Sequence, residues 1–88
     1  MALNMNFIDK NMEQIENGYI KITNTIVNKN ECYFSLGFWK NHMDSITKPS
    51  IKEYNNSFHN PNIEENIWIQ VYTYCKTLPE FSEATDII

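Results

Sequence analysis

The sequence predicts an α+β fold, a small antiparallel sheet of three to four strands covered by one C-terminal amphipathic helix. Residues 19–40 alternate apolar and polar side chains in two runs separated by Asn28-Lys29-Asn30-Glu31, the pattern of an antiparallel hairpin. Between Ile63 and Leu78, apolar residues recur at helical spacing. Each segment carries one apolar face, and a helix laid across the sheet buries both.

Residues 6–18 admit two readings. Ile8, Met12 and Ile15 follow the i, i+4, i+7 spacing of a helix. Asp9-Lys10-Asn11 and Asn17-Gly18 are turn formers, which suits two short strands and favours that reading. Tyr19 to Asn28 forms a strand with Ile20, Ile22 and Ile26 on one face and Lys21, Thr23 and Thr25 on the other. Cys32 to Lys40 directs Cys32, Phe34, Leu36 and Phe38 to one face and Tyr33, Ser35, Gly37 and Trp39 to the opposite one. Asn41 to Ser50 is polar, contains Pro49 and reads as a loop. Ile51 to His59 is a further strand with Tyr54 and Phe58 facing the core, although Asn55-Asn56 disfavours sheet.

The helix is expected to begin at Asn60-Pro61, because Asn is a favoured N-cap and proline at the first helical position forfeits no hydrogen bond. Glu64 and Glu65 then lie near the positive end of the helix dipole. Ile63, Ile67, Val71, Tyr74 and Leu78 fall in one arc, with Trp68 and Cys75 at its edge. Pro79 keeps Leu78 out of helical geometry, so the helix stops near Thr77 and Phe81 folds back onto the core.

With 88 residues the chain is expected to form a single domain, residues 1–88. A domain of this size buries only about 60–65% of its unfolded surface. Its five Phe, five Tyr and two Trp therefore supply most of the available core. The net charge is −4 and all seven cations are scattered lysines. Without arginine there is no bidentate clamp for phosphates or bases, so direct nucleic-acid binding is not expected. No apolar run approaches the roughly 20 residues of a membrane span, and Met1-Ala2-Leu3-Asn4-Met5-Asn6 lacks a basic start and an apolar h-region, so no secretory signal is expected. Cytoplasmic synthesis is the expectation.

The sequence suggests no active site. Cys32 and Cys75 sit at apolar-periodic positions and read as small buried hydrophobes. A zinc site from Cys32, Cys75, His42 and His59 lacks paired-ligand spacing, so neither metal nor cofactor is expected. A Cys32–His42 nucleophile pair needs an exposed thiol, whereas Cys32 points inward from its strand. Glu64 and Glu65 point about 100° apart on a helix and do not make a carboxylate pair. Trp39 and Tyr33 lie on the strand face away from the helix, and Ile69 and Tyr72 flank the helix's polar side. These four are the candidate interface residues, unless another part of the chain covers them. An interaction module is expected, not an enzyme.

The segment Ile67 to Phe81, followed by Ala84 and Asp86, resembles the C-terminus of small proteins encoded in tailed-phage structural modules. In these a helix with a Gln-x-x-Tyr core runs into Lys-Thr-Leu-Pro-Glu-Phe and a final Ala-x-Asp. Gln70, Tyr74 and the run from Lys76 to Phe81 carry the likeness here, and Tyr19-Ile20-Lys21-Ile22 resembles the same group's first long strand. Trp68 and Cys75 depart from the pattern. The resemblance implies a virion or tail-associated protein, made in the host cytoplasm, that assembles with itself or with larger tail, neck or fibre proteins. The Asn, Ile and Lys content, consistent with an AT-rich genome, fits such a source. The alternative is a soluble phage-encoded inhibitor of a host enzyme or defence complex, suggested by the acidic balance. Against it, the carboxylates are dispersed and do not form a stripe.

Overall fold

The computed structural model describes residues 2–87. It is α+β: β1 (Ala2–Ile8), β2 (Gln14–Val27), β3 (Glu31–Trp39), α1 (His42–Thr47), β4 (Lys52–His59), α2 (Ile67–Cys75), a 3-10 turn at Pro79–Phe81, and β5 (Thr85–Ile87). The strands form one antiparallel sheet in the order β4-β3-β2-β1-β5. Five strands and two helices thus replace the expected three to four strands and one helix.

Residues 6–18 adopt the strand reading, as the end of β1 and the start of β2. Asp9 builds the turn between them. Its buried carboxylate accepts from the N–H groups of Asn11 and Glu13, each at 2.9 Å. Asn17-Gly18 does not form a turn but lies within β2. Met5 pairs with Gly18 and Phe7 with Ile15, leaving one extra residue on β2. Asn17 takes a left-handed φ of 52° there, and its backbone is held by Asn4 Nδ2 on its carbonyl and Asn6 Oδ1 on its N–H. A Cβ at Gly18 would fall on the Phe7 ring.

A second bulge corrects the expected face of Ile26. Ile22 pairs with Leu36 but Asn24 pairs with Ser35, so Thr23 is the extra residue. Beyond it the alternation shifts by one. Thr25 now pairs with buried Phe34, while Ile26 pairs with Tyr33 on the outer face and is 60% exposed.

The expected Asn41–Ser50 loop contains α1. Asn41 caps it by accepting from the Asp44 N–H at 2.9 Å, and Lys48, forced extended before Pro49, ends it. The segment covers the sheet's second face at Trp39. The indole Nε1–H donates to the Lys48 carbonyl at 2.9 Å, and its ring lies so close over Gly37 that an added Cβ would meet it at 2.5 Å.

Helix α2 begins at Ile67, not at Asn60-Pro61. Asn60 has a left-handed φ of 55°, incompatible with an N-cap, and Asn66 is the cap, accepting from the N–H groups of Trp68 and Ile69. Ile63 therefore precedes the helix and is exposed. Val71, Tyr72, Cys75 and Phe81 are buried against Leu3, Ile20, Phe34, Leu36 and Phe38, with Ile67, Tyr74 and Leu78 packed at the margin. Phe81 meets Phe38 and Tyr54 through ring centroids 6.2 and 5.1 Å apart.

Tyr72 joins helix to sheet. Its hydroxyl accepts from the Ile22 N–H at 2.9 Å, beside the Thr23 bulge and two residues past Ile20, the last residue of that stretch paired with β1. Tyr72→Phe should cost about 1–3 kcal/mol, because it leaves that N–H without its acceptor. Phe81→Ala should cost about 3–5 kcal/mol. Urea unfolding of the two variants beside the parent protein checks both values.

Candidate protein-interaction surface

The apolar side chains left in solvent define the surface. Of the expected interface residues, Tyr33 and Ile69 are exposed, 46% and 49% respectively. Trp39 and Tyr72 are buried, and both are corrected: α1 and the Lys48 carbonyl cover the first, and the sheet takes in the second. The reverse correction applies to Trp68, expected at the edge of the core but 55% exposed.

Helix geometry explains Trp68. At 100° per residue it falls about 60° from Val71, between Val71 and Tyr72 and close to Cys75, on the azimuth of the buried trio. It lies one turn earlier. Trp68 therefore shares the azimuth of the buried trio yet stays largely in solvent, while Ile67 beside it packs at the margin of the core. Ile63 and Ile69, exposed at 63% and 49%, lie nearby along the chain.

The Ile63 segment is fastened to α2. Gln70 Nε2–H donates to the Asn62 carbonyl and Gln70 Oε1 accepts from the Asn62 N–H, both at 2.8 Å. Asn62 Oδ1 in turn accepts from the Glu64 N–H. Glu64 and Glu65 therefore sit in this loop and not in a first helical turn.

On the outer sheet face, Ile26 and Tyr33 border a shallow groove of about 420 Å³ lined also by Asn24, Ser35, Asn55 and Ser57. The hydrogen bond and charge of Glu31 push the Tyr33 hydroxyl's pKa up. A second groove of about 430 Å³ lies where α1 meets the sheet, beside Asn4, Tyr19, Asn41 and His42. His42 stacks obliquely on Tyr19 with centroids 5.0 Å apart. Met43 and Ile46 project from α1 into solvent, and no sequence signal marked them while this segment read as a loop.

The residues weighed for chemistry are not brought together. Cys32 is buried on the core face while His42 is exposed beside Tyr19. Asp44 in α1 pairs with Lys48, just past its end, at 3.6 Å. Glu80 accepts from the Tyr54 hydroxyl at 3.0 Å. Among the described residues no group of three or more His, Cys, Asp or Glu is placed to hold a metal ion, and no helix is long and apolar enough to cross a membrane. Both cysteines are free, and burial raises their pKa values, that of Cys75 to about 12.

No protein-family model, curated protein or solved structure matches this chain.

Two outcomes follow from this placement. Trp68→Ala should change stability by no more than about 0.5 kcal/mol, whereas Trp39→Ala should cost about 3–5 kcal/mol, read from thermal melts of both variants. Because the thiolate is the reactive form, both cysteines should resist an aromatic disulfide reagent at pH 8 in the folded protein and react fully in guanidinium. For Cys75 the protection should persist as pH rises past 9, the ordinary thiol value, since its proton leaves only near pH 12.

Proposed function

We propose that this protein is a small tailed-phage virion or tail-associated component that acts through protein–protein contacts. The observation that carries the reading is Trp68. It is a large aromatic on the core azimuth of α2, 55% exposed and flanked in sequence by exposed Ile69, and a partner surface would complete its packing. The resemblance at the C-terminus supplies the phage context.

The residues that carry the likeness have structural work in this fold. Gln70 clasps Asn62, and the Tyr74 ring packs against Phe34 and Phe58 with centroids 6.2 and 5.3 Å away. Lys76 pairs with Asp86 at 2.8 Å, tying the end of α2 to β5. Phe81 plugs the core.

The test is location. In particles sedimented from a culture of a phage carrying this gene, mass spectrometry should find the chain at a fixed copy number relative to the major capsid protein. Its absence from particles and abundance in the soluble fraction would overturn the reading in favour of an inhibitor. Within particles, Trp68→Ala combined with Ile69→Glu should reduce incorporation at least tenfold while the isolated variant keeps its fold.

A further inference from the structure

We infer that β4 is a self-pairing edge, through which two copies of this chain join their sheets into one antiparallel sheet of ten strands. The strand order leaves β4 and β5 at the two edges. β5 has three residues, but β4 has eight in unbroken register with β3, with no bulge and no proline. Its only lysine is Lys52, its first residue. The devices that usually protect an edge strand are therefore absent from its middle.

The direction of its backbone groups follows from the hairpin end. Asn60 N–H donates to the Asn30 carbonyl at 2.9 Å. Bonding direction alternates along an antiparallel strand, so the even-numbered residues of β4 bond to β3, and Glu53, Asn55, Ser57 and His59 turn their backbone groups to the open edge. Ser57 fits this phase, since its N–H is taken by the neighbouring Asn56 side chain at 2.8 Å.

Pairing of β4 with itself must keep residues of equal parity opposite one another, because opposed residues share a face. A two-fold axis at Asn56 uses all four outward residues. It sets Asn55 opposite the partner's Ser57 and Glu53 opposite the partner's His59, a carboxylate against an imidazole. On the core face it sets Tyr54 opposite the partner's Phe58. Both rings are half-buried at the rim of the core, so a second copy extends that rim. Ser57 N–H exchanges its Asn56 acceptor for a backbone carbonyl, which releases Asn56 Oδ1 near the axis while Asn56 Nδ2–H keeps its bond to the Tyr54 hydroxyl at 2.8 Å. The strand is complementary to itself in charge and in backbone hydrogen bonding, which selects a second copy as the occupant of the edge.

This inference deepens the self-assembly element of the proposed function, but it is tested on the purified chain alone. Its failure leaves the particle location unaffected. Sedimentation velocity over a concentration series should show a monomer–dimer equilibrium. Asn55→Pro removes the outward N–H together with the side-chain Oδ1 that accepts from the Ser35 hydroxyl at 2.6 Å, and Asn55→Ala removes the side chain alone. The proline variant should therefore abolish the dimer and the alanine variant should keep it, both with the circular dichroism spectrum retained. His59→Lys should tighten the dimer by about tenfold across its two symmetric pairs, and adding Glu53→Lys should reverse the gain by placing lysines opposite one another. Should the proline variant fail to fold, the charge series decides alone. A chain monomeric up to about 1 mM, a dimer unaffected by a folded Asn55→Pro, or a dimer indifferent to both lysine variants would overturn the proposal.

Discussion

Strand β2 has to satisfy two neighbours that overlap it at different places. Its first part pairs with β1 and its continuation, through Val27, pairs with β3. One uninterrupted alternation over fourteen residues does not suit both partners and also keep the apolar residues of all three strands on the side that α2 covers. Two additional residues, Asn17 and Thr23, reset the phase. Each bulge frees backbone groups that must find other partners. At Asn17 these come from Asn4 and Asn6 of the adjacent strand, while the Ile22 N–H, which faces the β1 side two residues past Ile20, is met by the Tyr72 hydroxyl. The Tyr72 bond ties α2 to β2 at that point, and the position of α2 determines which apolar residues remain uncovered.

Much of the fold was legible because it rests on local rules. The β2–β3 hairpin was visible in its alternation, and Cys32, Phe34, Leu36 and Phe38 are all buried as read. The strand at 52–59, the stop before Pro79 and the return of Phe81 followed from equally local signals. What was missed depends on choices between similar signals or on distant partners. Asn60 and Asn66 are both credible caps, and the left-handed backbone that disqualifies Asn60 is not written in its identity. Thr23 bears no mark of a bulge, so simple alternation puts Ile26 on the core face. The cover of Trp39, α1, lies in a polar stretch where Pro49 signals a loop and Asn41 alone signals a cap.

The candidate surface was half legible for the same reason. Tyr33 and Ile69 are exposed as the alternation and the helical wheel implied. Trp68 was assigned to the core because a helical wheel carries azimuth but not depth along the axis. Whether a side chain at a given angle is buried depends on how far the sheet reaches beneath it, which is set by strand lengths and register elsewhere. Ile63 falls on the same arc only if the helix starts at Asn60-Pro61, and with Asn66 as the cap it lies outside the helix. The surface that emerges is a set of side chains with core-like chemistry located where the domain's own elements end.

The pairing of β5 with β1 has a mechanical consequence. Ala2 lies opposite Ile87, and Thr85 lies opposite Asn4. Tension between Ala2 and Ile87 acts across neighbouring antiparallel strands at their joined end, so it loads the ladder one bond at a time and peels β5 away, the geometry of lowest resistance. Separation of β5 also strains the Lys76–Asp86 pair, which connects the peeling strand to the end of α2. Within an assembly under load, this corner would yield first and lengthen the domain by a few residues while the four-stranded remainder and the Phe81 plug stay in place.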